Sequence, residues 1–360
     1  MPNDLKGEIH SNFSTDSSTW ANFRSEVTGA YILSGQGGEE GRQHLLREFN
    51  RKVDNLNQSG QFYLEPYNAG FSYKGTPDLY TGAVGAYSTR TIGFGGPLMR
   101  VRRNSDNTEV DVRGDTDGNI SLSSPLIATG TTAVTTNLGG FIGTASGYCS
   151  VWYDQSATGD AQNNLTQTTA ADQPLLVNQG ALVTTSSGDS SLDFNGSTQH
   201  MVLDTGFSST INISGLSSYT VFEADTTAGT QIIAALGSNA DSDKRWYCPL
   251  IEAGEFRYSY GTNNPISEAS GTANTNLNLA TLVADQTQGS AKAFQNGSQI
   301  GGTATLDNQG GGTTLVGVGA MADNYHFNGK IGEFIWYTGQ SVSVNREQIE
   351  SNINKHFGIY

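Results

Sequence analysis

From about residue 76 onward, apolar and polar residues alternate with period two, and the clearest run lies near the C-terminus, in His326-Phe327-Asn328-Gly329-Lys330-Ile331-Gly332-Glu333-Phe334-Ile335-Trp336-Tyr337. Strict alternation places Ile331, Glu333, Ile335 and Tyr337 on one face of a strand and Lys330, Gly332, Phe334 and Trp336 on the other. Both faces carry large apolar groups, which predicts a central strand of a sandwich. Ser341 and Ser343 then precede Arg346-Glu347-Gln348-Ile349-Glu350 and Ile353, the spacing of a short capped helix.

Other segments repeat the strand pattern. Gly96-Pro97-Leu98-Met99-Arg100-Val101-Arg102-Arg103 and Glu109-Val110-Asp111-Val112 flank the turn cluster Asn104-Ser105-Asp106-Asn107, which predicts a hairpin. Cys149 to Tyr153 reads as a buried strand ending in the polar loop Asp154-Gln155-Ser156. Ser191 to Val202 reads as a strand pair, and Tyr219 to Ala224 as a further strand. Ala280 to Ala284 and Ala291 to Gln295 pair, and Asn296-Gly297 is a strong hairpin-turn signal. The expected fold is all-β: an antiparallel jelly-roll β-sandwich over residues 76–360, closed by a short C-terminal helix.

Residues 1–75 read differently. Gly35, Gly37 and Gly38 form a joint. Leu45, Leu46, Phe49, Val53 and Leu56 then recur at helical spacing, which predicts one amphipathic helix over about 39–57. The segment is expected to be an N-terminal arm that either packs on the sandwich or serves docking and oligomerisation.

Composition sharpens this picture. The 360 residues include 45 Gly and only 8 Pro, with 15% charged side chains, which suits many short strands joined by tight turns. The formal charge of −15 argues against nucleic acid as a partner, because phosphate binding needs clustered Lys and Arg. Two cysteines, Cys149 and Cys248, make no disulfide framework; buried thiols or a single bridge remain open. The N-terminus has no basic region followed by an apolar core, so no secretory signal is expected, and no apolar run is long enough to insert in a membrane.

Several clusters in order carry a resemblance: Ala86-Tyr87-Ser88-Thr89-Arg90, Gly96-Pro97-Leu98 with Val101-Arg102-Arg103 and Ser105-Asp106, Tyr153-Asp154-Gln155-Ser156, the Asn163-Asn164 loop, and Gln173-Pro174. Together they are similar to the start of the family 54 arabinofuranosidase catalytic domain. The same block also opens laminin-G-like domains of phage and bacterial proteins. The closing strand and helix resemble the end of a laminin-G-like, concanavalin A-type sandwich. The resemblance covers roughly residues 80–360.

Retaining glycosidases need two carboxyl groups about 5–5.5 Å apart. The resemblance places Glu252, in Trp246-Tyr247-Cys248-Pro249-Leu250-Ile251-Glu252, at the nucleophile position and Asp323 at the acid/base position. The adjacent Cys-Cys pair of the family is absent here, and the usual upstream partner of Cys149 is missing. For glycan binding, aromatic platforms beside amides point to Trp246, Tyr258, Tyr260, Asn263 and Asn264, and to Asn324, Tyr325 and His326. Asp115-Thr116-Asp117-Gly118-Asn119 resembles the start of a calcium loop, but Leu126 stands where a chelating Glu would close it; an Asx-rich turn is the competing reading. The histidines have no metal-ligand spacing, no resident cofactor is implied, and no Gly-x-Ser-x-Gly elbow occurs.

The function expected from all this is a non-enzymatic virion protein: a phage head fibre, decoration or tail fibre component. Residues 1–75 would contact other virion proteins, and the lectin-like sandwich would face glycans or the host surface. Homo-oligomers, trimers above all, are expected of such appendages. The alternatives are an arabinofuranosidase-like retaining glycosidase and a structural protein with no glycan partner.

Overall fold

A computed structural model of the chain describes residues 80–360 except 81, 93–95, 128–135, 157–162, 204–210, 213–214, 238–244, 261–263, 286–289, 306–311, 314, 321–324 and 339–345. Residues 1–79, and with them the expected arm and its helix, lie outside the described residues. The chain divides between Pro66 and Tyr67, so every described residue belongs to the second unit.

The strand Asn328–Thr338 is the centre of one sheet. Along one edge it pairs antiparallel with Gly215–Ala224. Along the other it pairs with Gly85–Ser88 over its second half and with Leu192–Asn195 over its first. Beyond Gly215–Ala224 the sheet continues through Leu277–Asp285, Ser290–Gln295 and Ser298–Thr305. The Asn296-Gly297 hairpin is present, with both residues at positive φ, as a type I′ turn requires.

A second layer runs from Glu109–Val112 through Met99–Arg103 and Gly147–Trp152 to the short Leu165–Thr166. It continues through Met201–Leu203, Leu315–Val318, Ala234–Gly237, Arg245–Glu252, Glu255–Tyr260 and Asn264–Thr272. The strand Leu175–Asn178 pairs with Gly147–Trp152, and its Leu175 also pairs with Asp193, which joins the two layers. The chain is an antiparallel β-sandwich, as expected. Leu192–Asn195 and Met201–Leu203, expected to pair with each other, instead go to different layers.

Between the layers lie Tyr87, Trp152, Phe194, Phe222, Trp246, Phe256, Phe334 and Trp336, all buried. Phe222 and Phe256 meet edge to face across the layers at 5.3 Å. Burying side chains of this size contributes roughly 1.5–3 kcal/mol each.

The outer face of the first sheet is covered by the helix Arg346–Phe357. Its Ile349, Ile353 and Phe357 pack on Tyr219, Val221, Ile335 and Tyr337. Both faces of the central strand are therefore buried, as its sequence predicts. Its alternation is not unbroken, however. Val221 pairs with Glu333 but Phe222 pairs with Ile331, so Gly332 is an extra residue, a β-bulge. The bulge moves Ile331 to the inner face with Phe334 and Trp336, away from Glu333, Ile335 and Tyr337. Glycine suits this position because a Cβ there would lie 2.8 Å from the Phe357 ring.

The front block locks the layers together. Trp152 Nε1 donates to the Ser88 carbonyl, and Gln155 Nε2 donates to the carbonyls of Ser88 and Arg90. Gln155 Oε1 accepts from Ile92 N–H. Asp154 Oδ1 accepts from the N–H groups of Ala86 and Ser156, and Oδ2 from the Ser156 hydroxyl. Arg102 reaches Gln173 Oε1 at 2.6 Å. Cys149 and Cys248 are both buried free thiols. Among the described residues no helix is long and apolar enough to cross a membrane.

Candidate functional site: an open pocket around Tyr325

Three chain segments converge on one open pocket of about 380 Å³. The first is the turn after Leu192–Asn195. There Asn195 Oδ1 accepts from the N–H groups of Ser197, Thr198 and Gln199 at 3.0–3.1 Å. An Asx arrangement of this kind holds a tight turn without regular secondary structure. Gly196, at φ 70°, lets the turn approach the central strand, since a Cβ would lie 2.8 Å from that of Asn328.

The second segment follows Gly215–Ala224 and supplies Thr226, Ala228, Thr230 and Gln231. Gln231 is buried and stitches the pocket floor: Nε2 donates to the carbonyls of Thr226 and Ala228, and Oε1 accepts from Asn328 N–H. The third segment is Tyr325-His326-Phe327-Asn328. Ile232 N–H donates to the Tyr325 carbonyl at 2.7 Å, and Gly196 N–H to that of Phe327 at 3.0 Å.

Tyr325 is 58% exposed and sits at φ 57°. A large non-glycine residue in the left-handed region costs about 1–2 kcal/mol. Its backbone is held there by the Ile232 hydrogen bond, and its ring is presented to solvent at the pocket wall. The rings of His200 and His326 lie 5.6 Å apart beside it. His200 Nδ1 faces the Thr198 carbonyl at 2.8 Å.

The expected site residues divide. Tyr325 and His326 line the pocket. Asp323, Asn324 and Asn263 lie outside the described residues. Tyr260 is on the strand Glu255–Tyr260, paired with Trp246 and Asn264. Trp246 and Tyr258 are corrections: at 1% and 0% exposure they point between the layers, so neither ring is offered to a ligand. Tyr258 instead turns its hydroxyl toward the Phe294 carbonyl at 3.4 Å.

Glu252 ends the strand Arg245–Glu252 at the Ala253-Gly254 turn. Its carboxylate is 2.6 Å from Arg257 Nη1, half exposed, and outside the pocket lining. Asp115 heads an Asx turn: Oδ1 accepts from Asp117 and Asn119 N–H groups and Oδ2 from the Ser121 hydroxyl. Its oxygens are thus engaged by donors of the turn itself. Among the described residues no three His, Cys, Asp or Glu side chains are grouped to hold a metal ion.

Asn195, Thr226, Thr230, Gln231 and Asn328 were not singled out from sequence. Their signal is weak: Asn195 and Asn328 fall in segments read as strands, and only the topology brings the three segments to one place.

No protein-family model matches the chain, and no curated protein matches it in sequence. Among solved structures, it is similar to an arabinofuranosidase complexed with arabinofuranosyl-alpha-1,2-xylobiose, at 15% identity and a TM-score of 0.55, over 78% of this chain and 64% of that one. It is similar in the same way to a GH54 α-L-arabinofuranosidase soaked with a cyclic sulfate inhibitor, at 17% identity and a TM-score of 0.54. The chain spans 64% of the length of each. At this identity the likeness is one of fold: an all-β sandwich.

Proposed function

We propose that the chain is a non-enzymatic binding and structural protein whose laminin-G-like sandwich presents the Tyr325 pocket to glycans. One observation carries the reading: an exposed aromatic ring, held in a strained backbone, beside a pocket lined by amide and hydroxyl side chains. Sugars stack their apolar face on such rings and satisfy their hydroxyls with Asn, Gln and Thr. The resemblance of the front block, from Ala86 to Pro174, to the start of laminin-G-like domains in phage and bacterial proteins supports a virion setting, as a head fibre, decoration or tail fibre component. In that setting residues 1–75 form the arm that meets other virion proteins or further copies of the chain. The test is binding of a glycan panel to the full chain and to Tyr325→Ala. Loss of binding in the variant supports the reading; a panel that never binds refutes it. Deleting residues 1–75 should leave a folded sandwich that no longer joins an assembly.

A second reading is favoured by the fold neighbours, which are arabinofuranosidases. In it Glu252 and Asp323 are the nucleophile and acid/base of a retaining glycosidase. Hydrolysis of an aryl arabinofuranoside, abolished in Glu252→Gln, would establish it. Activity no higher in the wild type than in the variant would remove it.

A further inference from the structure

We infer that the Tyr325 pocket is selective for uncharged saccharides and rejects acidic ones. This rests on the glycan-binding reading and adds the chemical class of ligand to it.

Acidic sugars carry a carboxylate, phosphate or sulfate, and proteins that hold them place Arg or Lys against that group. Among the described residues none lines the pocket. The side chains that do are amides, hydroxyls, the Tyr325 phenol and the His326 imidazole.

The surface beside the pocket is charged with the opposite sign from the one an acidic sugar needs. Asn195 and Asn328 are cross-strand partners at the pocket edge. Two residues back along Leu192–Asn195 and two residues on along the central strand, Asp193 and Lys330 are also partners. Period two puts all four on the same outward face, with buried Phe194 and Gly329 between them turned inward. On the next strand Glu223 pairs with Lys330, and Asp225 follows two residues later, donating its N–H to the Asn328 carbonyl. Asp193, Glu223 and Asp225 therefore form an acidic row with one cation, Lys330, whose Nζ is 3.4 Å from Asp225. The row carries three negative charges against one positive and runs directly into the pocket wall. Burial first, and then the Asp225 charge, push the Asp193 carboxyl up against the pull of Lys330.

A neutral sugar meets no penalty from this row, because hydroxyls carry no charge. An anionic sugar in the pocket faces it without a counter-charge, and Lys330 is already engaged by Asp225. The full chain has a formal charge of −15, so the long-range field acts in the same direction.

The experiment is calorimetric titration of the full chain, at about pH 8 and low salt, with matched pairs of probes: lactose against 3′-sialyllactose, and cellobiose against cellobiouronic acid. The expected result is binding of neutral members, with acidic partners weaker by about tenfold or more. Tyr325→Ala should abolish the neutral binding. In Asp193→Asn/Asp225→Asn the neutral affinity should stay, and the acidic penalty should shrink severalfold and become less sensitive to salt. Acidic members that bind as well as neutral ones, in a Tyr325-dependent way, overturn the selectivity but leave the glycan site standing. Binding that survives Tyr325→Ala puts the site elsewhere and overturns the inference. No binding by any member overturns both the inference and the glycan reading beneath it.

Discussion

The buried ion pair under the C-terminal helix gives the sharpest test of how this fold is held. Glu333 is fully buried on the bulged part of the central strand. It accepts from the Ser88 hydroxyl at 2.6 Å and from Arg90 Nε and Nη2 at 2.9 and 3.1 Å. Arg90 is satisfied in turn: Nη1 donates to Asn352 Oδ1 of the helix, Nη2 to the Tyr80 hydroxyl, and its guanidinium lies 5.7 Å over the Phe357 ring. The geometry is bidentate and buried. Removing one partner strands a charge away from water, and that typically costs about 3–5 kcal/mol. Glu333→Leu is therefore expected to lose that much, and Arg90→Met a similar amount.

Arg90→Met/Glu333→Leu removes both charges and refills the volume, so it should cost much less than the two single losses together. The coupling should be about 3 kcal/mol or more. The assay is urea unfolding of the full chain, followed by fluorescence of the buried Trp152, Trp246 and Trp336. Because the pair is shielded from solvent, added salt should change the single-variant losses little. Single losses below about 1 kcal/mol, or strict additivity in the double variant, refute the reasoning. Those results would mean that Arg90 finds water once its partner is gone, and that the helix is a loose cover.

Four further predictions follow from single positions. Burial pushes the Asp154 carboxyl up to about 6, against the hydrogen bonds from Ser156 and Ala86 that pull it down. The folded state then holds its proton more tightly than the unfolded chain, so the contribution is present below about pH 4 and is lost as pH rises through about 6, up to roughly 3 kcal/mol in all. Urea unfolding at both ends of that window should show wild type gaining on Asp154→Asn as pH falls; a constant difference refutes the assignment. Tyr325→Asn should raise stability by up to about 1 kcal/mol, because Asn tolerates the left-handed region, while sugar binding is lost; thermal unfolding and titration read the two effects. Gly319→Ala should cost roughly 2–4 kcal/mol by urea unfolding, since its Cβ would lie 2.3 Å from the Phe194 ring at φ 81°. Both thiols should resist a disulfide reagent until the protein unfolds, because burial pushes Cys248 up to about 12 and Cys149 higher still; rapid native labelling would contradict this.

Much of the sandwich was legible because its strands carry local signals. The Met99–Arg103 hairpin, the Asn296-Gly297 turn, the doubly buried central strand and the terminal helix each follow from period and turn chemistry. Two features were not legible. The Gly332 bulge leaves the composition of the strand unchanged and shows only in which residues oppose Val221 and Phe222. The parting of Leu192–Asn195 from Met201–Leu203 depends on long-range pairing, which alternation alone cannot specify. The site was half legible for the same reason. Tyr325 is an aromatic beside Asn324 and His326, a recognisable sugar-binding composition. Trp246 and Tyr258 have that composition too, but their inward phase on adjacent strands buries them. Asn328 reads as part of the central strand, and nothing in the sequence marks Gln231 until three segments meet.

The motifs that carry the family resemblance can now be placed, and their placement bears on how far the resemblance reaches. Ser88 and Arg90 hold Glu333. Arg102 and Gln173 tie the second layer to the loop at Ala170. Asp154, Gln155 and Ser156 clamp the backbone from Ala86 to Ile92. Each is buried, and each is spent on the scaffold. A sequence that folds this sandwich needs these contacts whether or not it hydrolyses anything. Their presence therefore argues for the fold and leaves the chemistry to the loops. The Tyr325 pocket is built from three such loops. There several lining residues are exposed, the Tyr325 backbone is strained, and its aromatic ring points outward. Substitutions in the clamp should lower stability and ligand binding together. Substitutions at Tyr325 should separate the two, and that separation distinguishes a binding site from a surface turn.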